Sequence, residues 1–548
     1  MSDHIHIINA AVRTMSPDRP RAEAIAISGN RIQAVGSTAD IQALGPATRT
    51  IDADGATVMP GFVEAHAHLF MGSQSLTELD LQWTQGVEAL TKAIQGHAAA
   101  RPDDDLLIGR SVNYAILGEG TRPTRQDLDK ILPDRPLFLR SADYHNAWVN
   151  TTALQAAGVL HGHDVGPGSE IVLQDGVATG ELREMEAMEF VANRITPPGR
   201  EGIGLDPQDV SPEDRRADIA LLKEGLAYCA AQGITTIQNM DGNFYQCALL
   251  RQIEEDGDLI CRMEMPYHFL PSEPLENMAR ATRMAETYAS DKLWSGRVKM
   301  FMDGVLDAWT AVMVEDYADR PGIRGEPLFT PDQFNTLATE ADRRGLQVSV
   351  HAIGDGAVRH VLDGYAAAAD TNGSRDSRHR IEHIEVIHPD DIPRMADLGV
   401  LASMQANHPP GGGCFPKEPT IHMIGPDRWP YSYAWRTLQD ADAPVVFGTD
   451  WPVAPIDPLL ALRQALTRPT WAPDLPDQRL TMEEALAAYT RVGAYTCFKE
   501  DQFGTLAPGM LADIVILDGP LPEDPASEVW PKVRMTLCDG QMTFGPDG

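Results

Sequence analysis

The chain has 548 residues, with 45 Lys and Arg against 79 Asp and Glu, a formal net charge of −34. That balance repels phosphate backbones and anionic lipid, and so excludes nucleic-acid binding and attachment to a membrane through a basic surface. With 43% hydrophobic and 23% charged residues the composition is that of a globular protein, long enough for more than one structural unit.

The opening run MSDHIHIINAAVRTMS has no basic segment followed by an apolar one, and no later stretch reaches the ~18 apolar residues of a membrane helix. A soluble, cytoplasmic protein is expected, and a homo-oligomer remains open. The cysteines, Cys229, Cys247, Cys261, Cys414, Cys497 and Cys538, include no C-x-x-C pair, which points to reduced, mostly buried thiols.

Both ends of the chain read as short strands separated by turns. HIHIINA, AEAIAISGNRIQAVG and TRTIDADGATVMPG open it, with Gly29-Asn30 placed as a hairpin turn, and GTLAPGMLADIVILDG and VRMTLCDGQMTFG close it. Neither end is long enough to bury a core alone. Residues 1–59 and 497–548 are therefore expected to combine into one small β domain.

Between them, over 60–496, short apolar runs alternate with amphipathic helices such as PDQFNTLATEADRRG and DDIPRMADLG, each closing on a Gly. The runs are VMPGFVEAHAHLF, GITTIQNM, CRMEMPYHFL, GRVKMFMDG, LQVSVHAIGD, HRIEHIEVI, VLASMQANH and APVVFGTDWPV. Such alternation belongs to the α/β class, and eight units predict a (β/α)8 TIM barrel. The interval of about 76–213 is too long for one loop. It is read as an insertion, with helical and Pro-rich pieces of its own, over the active-site face.

Polar residues gather where these strands end, which in a barrel is the active-site face. They are His66 and His68 after strand one, Lys299 in strand four, His351 after strand five, His383 in strand six and Asp450 after strand eight. Imidazole and carboxylate suit a zinc-like divalent ion, and the one-residue gap in His66-x-His68 puts both rings on one face of a strand. His4-x-His6 has the same spacing but stands alone on a surface strand and is read as solvated.

GFVEAHAH, the lysine of VKMFMDG, HAIGDG, RIEHIEVI, FGTDWP and GTLAPGMLADIVILD together resemble the metal-dependent amidohydrolase superfamily, in the long branch that contains N-substituted formamide deformylase. The resemblance implies that His66, His68 and Asp450 bind one ion, that His351 and His383 bind a second, and that Lys299 bridges them as a carbamate formed with carbon dioxide. One or two ions per chain follow; an amine paired with Asp303 is the alternative for Lys299. A divalent ion lowers the pKa of water from about 15.7 toward about 7 and polarises a carbonyl. Asp450 would then move the proton to the leaving nitrogen.

The segment PLFLRSADYHNAWVNTTAL resembles the branch's substrate-facing stretch, which implies Arg140, Asp143, His145 and Trp148 as pocket residues, with Tyr144 where the pattern has Gly. Gln405 and His408 close strand seven toward the substrate, and Asp355 is expected to orient an imidazole. Met300 and Met302, flanking Phe301, are read as core, and His163, His360, His388 and His422 as surface or packing residues. Trp83, Trp148, Trp309, Trp435 and Trp451 are either an apolar pocket wall or core. The expected activity is hydrolysis of a non-peptide C–N bond in a small amide-type substrate. The same water would attack an ester, lactone or carbamate, and a non-catalytic scaffold would not need all these donors.

Overall fold

The computed structural model describes residues 4–102, 104–118, 120–142, 144–166, 169–196 and 205–546. Eight strands form one sheet in chain order: Phe62–Ala67, Ile234–Asn239, Arg262–His268, Leu293–Phe301, Gln347–Ala352, Arg380–His383, Leu401–Met404 and Val445–Phe447. Every neighbouring pair is parallel. The circle closes at the mouth, where Asp450 N–H donates to His66 O (2.7 Å) and His68 N–H to Trp451 O (2.8 Å). This is the expected barrel, and its strands are apolar runs because helices cover one face while side chains fill the other. Met300 and Met302 are both fully buried in that core.

The covering helices carry their own stop and start signals. Pro331–Arg343 begins at Thr330, whose hydroxyl accepts from Gln333 N–H while Gln333 reaches back, and Gly345 follows it at φ +77°. No helix among the described residues is long and apolar enough to cross a membrane.

Strands from the two ends of the chain share a sheet. Ile514–Leu517 runs antiparallel to Thr57–Pro60, in a six-stranded sheet that also holds Ala11–Arg13 and Val533–Cys538. A second sheet pairs His4–Ile8 with Ala24–Ser28 and Arg49–Asp52. Gly29, at φ +61°, turns the hairpin from Ala24–Ser28 into Arg31–Gly36. His6 lies opposite Ala26 and Thr50 and is buried, contrary to the solvated position expected of it. Five cysteines are buried and Cys414 is half-buried, all of them free thiols.

The insertion differs from its sequence reading. Its framework is a six-stranded sheet in the order Glu170–Gln174, Val177–Arg183, Asn146–Val149, Leu137–Ser141, Leu107–Val112, Leu79–Asp80. Phe138, Ala147, Val149 and Leu182 pack into one apolar cluster, and Leu107, Leu137, Leu139 and Trp148 into another. A sheet covered on both faces explains how strands this short are stable.

Candidate metal centre

The barrel brings the sequence-selected donors together at its mouth. His66 is the fifth residue of strand one and His68 the residue after its end. His351 lies inside strand five rather than after it. The Nε2 atoms of His66 and His68 converge on Asp450 Oδ1 at 3.2 and 3.1 Å. His383 Nδ1 is 3.9 Å from Asp450 Oδ2, and the His383 ring centroid lies 4.8 Å from His66 and 4.4 Å from His351. His66, His68, His351, His383 and Asp450 are at most 8% exposed and Lys299 is fully buried, so water has little access to compete for them.

Among the described residues, two groups of three donor atoms lie within 4.8 Å of one another: His66, His68 and Asp450, and His383, His408 and Asp450. Either could hold a cation. The second group contains His408 where the sequence reading paired His351 with His383. His351 Nε2 donates to Gly304 O (3.1 Å), which leaves Nδ1 as its available nitrogen.

Buried carboxylates stand behind the histidines, and sequence reasoning missed them. Glu382 Oε2 takes His66 Nδ1 at 2.7 Å and Asp241 Oδ1 takes His68 Nδ1 at 3.2 Å. Each bond places a proton on Nδ1 and points Nε2 toward Asp450 Oδ1, so that Nε2 is the nitrogen left to ligate a cation once its own proton is given up, the arrangement by which a carboxylate orients a metal-binding imidazole. Burial alone would raise Glu382, but Arg380 and His66 hold it well below the usual carboxylate range. Burial likewise opposes ionisation of Asp450, and His66, His68 and His383 outweigh it. Glu64, fully buried and accepting Thr449 N–H at 2.6 Å, is pushed up to about 8 by burial.

Lys299 is the exception to this pairing. Its Nζ is buried with no hydrogen-bond partner among the described residues and lies 4.6 Å above the Phe301 ring. Burial pulls its pKa down to about 8. Asp303, the acid offered as its alternative partner, instead accepts the backbone N–H groups of Val312, Ile353 and Gly354. An unpaired buried ammonium is costly, which favours the neutral amine at Lys299. The donor set fits a divalent metal ion. The backbone is held in the left-handed region at His383 (φ +76°) and Asp450 (φ +61°), conformations that side-chain-bearing residues adopt only when the surroundings enforce them.

Around the donors, Gln405 Oε1 meets His383 Nδ1 at 2.9 Å, and the His408 ring lies nearly parallel to His383 with centroids 6.2 Å apart. His145, from the insertion, meets Glu184 Oε2 at 2.7 Å and stands 6.4 Å from the His351 ring. Arg140 and Trp148 have partners within the insertion. Arg140 pairs with Glu78, and Trp148 is buried against Tyr114. Asp143 lies outside the described residues. Tyr144 adopts φ +65°, the backbone conformation that explains a Gly in the related pattern. Asp355 accepts Val314 N–H and faces Arg428 rather than an imidazole, so it does not orient His351. Trp83 is 77% exposed, whereas Trp435 and Trp451 belong to the main core. His268, stacked 5.3 Å from Phe301, was not selected from the sequence; its place at the end of strand three was the available signal.

A model described as the amidohydrolase family matches residues 49–544. Protein LONG AFTER FAR-RED 3 of Arabidopsis thaliana is 29% identical over 98% of this chain and 91% of its own length. N-substituted formamide deformylase of Arthrobacter pascens is 26% identical over 99% of this chain and 98% of its own. In fold, an uncharacterized metal-dependent hydrolase of Pyrococcus horikoshii superposes over 95% of this chain and 98% of that one, with a TM-score of 0.71 at 23% identity. The matched residues take in all eight barrel strands and every donor described above, so the chain belongs to the amidohydrolase family and is a metal-dependent hydrolase.

Proposed function

We propose that the protein hydrolyses a non-peptide C–N bond of a small amide-type substrate, with one or two zinc ions held by His66, His68, His351, His383 and Asp450 and bridged by Lys299 as a carbamate. The observation that carries this reading is the fully buried Lys299 amine in strand four, which has no hydrogen-bond partner among the described residues. Full-length similarity to a protein named for deformylation of N-substituted formamides supports the bond class.

When bound, such an ion lowers the pKa of water and polarises the substrate carbonyl. The chain's own residues do the rest. Glu382 and Asp241 hold His66 and His68 in the tautomer whose Nε2 can ligate. As a neutral amine, Lys299 forms an Nζ–C bond to carbon dioxide and releases one N–H proton. Asp450, ionised and at the centre of the cluster, takes a proton from the attacking water and returns it to the leaving nitrogen as the C–N bond breaks.

Lys299→Ala should lower the metal content and the rate together while the fold survives, since the barrel core is supplied by other side chains. Elemental analysis beside a thermal melt reads both, and wild-type metal and rate in the variant would remove the bridging role. The activity itself is tested by presenting N-formyl and N-acyl amines, with matched esters and lactones, to the purified protein and measuring released amine or alcohol. Amine release that a chelator abolishes is expected. Turnover of the esters alone would reject the C–N assignment.

A further inference from the structure

The turn that leaves strand seven carries two polar side chains that the mechanism above does not use. Gln405 and His408 follow Leu401–Met404, and His408 N–H donates to Gln405 O (3.3 Å), which closes a tight turn at the end of the barrel where the metal donors lie. Gln405 is 2% exposed and His408 5%. The Nε2 atom of each is buried with no hydrogen-bond partner among the described residues. Folded proteins leave few buried polar atoms unpaired, so two on one turn call for a partner that the chain itself does not supply.

Their neighbours say what that partner is. Gln405 Oε1 is already committed to His383 Nδ1 at 2.9 Å, which leaves the Nε2–H2 arm of the carboxamide as a donor. A ring nitrogen of His408 lies within 4.8 Å of an Asp450 carboxylate oxygen and of a His383 nitrogen. Glu385 Oε1 is 3.8 Å from His408 Nδ1, too far to hold a proton there, so Nε2 can carry it. The Phe415 ring packs edge-on against the imidazole, with centroids 5.2 Å apart at 82°. Since Asp450 takes the proton from the attacking water, the carbonyl under attack lies beside Asp450, next to two N–H donors that have no acceptor.

We propose that Gln405 and His408 are oxyanion donors: their Nε2–H groups bond the substrate carbonyl oxygen and hold it more tightly as water adds to carbon and the C=O electron pair moves onto oxygen. The inference rests on the reading above only in placing a carbonyl at this mouth, and not on which bond then breaks. His408→Phe keeps a ring to pack on Phe415 but has no N–H, and His408→Gln restores a donor. The full-length, metal-loaded variants are compared by kinetics on the amide and ester panel, and by calorimetric titration with methylphosphonate, a tetrahedral oxyanion that needs no turnover. His408→Phe should lower kcat by about 10²- to 10³-fold with KM within a few-fold, and weaken methylphosphonate by about tenfold or more. Metal content and melting temperature should stay at the wild-type values, and His408→Gln should recover much of the loss. Gln405→Glu keeps an oxygen for His383, and with it the metal, but loses the N–H and adds charge where the oxyanion forms, so its kcat should fall at least as far. Wild-type methylphosphonate affinity in His408→Phe overturns the proposal, as does wild-type kcat in Gln405→Glu. Loss of an ion from His408→Phe also overturns it, by making that imidazole a metal ligand. Turnover of esters alone, with the same losses in the variants, supports these donors while rejecting the C–N assignment, so the two readings fail separately.

Discussion

Asp450→Asn should lower kcat by about 10²- to 10⁴-fold, the contribution general acid–base catalysis typically makes, with a smaller change in KM. The substitution keeps the shape of the side chain and one carbonyl oxygen but removes the basic site and the charge. Three histidines surround that carboxylate, with His66 and His68 nitrogens 3.2 and 3.1 Å from Oδ1 and His383 3.9 Å from Oδ2, so it is the group best placed to be both ligand and proton carrier. Metal content has to be measured on the same sample, because loss of an ion imitates loss of a base. A variant that keeps its metal and turns over within a few-fold of wild type would return the proton-transfer role to another group, of which His145 on Glu184 is the nearest candidate on the insertion.

Arg380→Met should be the most destabilising single change near the site. Arg380 and Glu382 are both fully buried, with Nε 2.5 Å from Oε1 and Nη2 3.0 Å from Oε2. Arg380 Nη2 also donates to Ala65 O at 2.8 Å and Ser403 Oγ at 2.6 Å, tying strand six to strands one and seven. Removing one partner of a buried pair leaves the other charge uncompensated, at a cost of about 3–5 kcal/mol, whereas replacing both by apolar groups is often near neutral. The single variant should therefore melt well below Arg380→Met combined with Glu382→Leu. The double variant should regain stability but not metal affinity at His66, which has lost the carboxylate that orients it. Equal melting temperatures for wild type and Arg380→Met would contradict this account of the strand-six pair.

The barrel was legible because its strands are continuous branched or apolar runs closed by Gly turns, a pattern that burial on both faces imposes. The donors were legible for a related reason: a histidine or lysine that interrupts such a run at the same end in several units has few explanations other than a shared site. Of the carboxylates behind them, Asp241 was not, because a lone acid just past a strand says nothing until the neighbouring strand is in register. Arg380 and Glu382 did carry a signal. Two opposite charges two residues apart on one face of an apolar strand, here with Ile381 between them, mark a buried pair. The insertion hid its sheet since strands such as Leu107–Val112 and Asn146–Val149 mix polar residues into short runs, and their pairing is non-local. His408 beside His383 and Asp450 shows the same limit, for spacing along strand seven cannot reveal which strand-six ring it will face.

The most direct measurement is elemental analysis of the purified, active protein alongside His66→Ala and His383→Ala, each normalised to chain concentration. The account predicts one to two divalent ions per chain in the wild type, a loss in each variant, and activity that follows the metal when it is removed by a chelator and returned. Full activity without stoichiometric metal would contradict it.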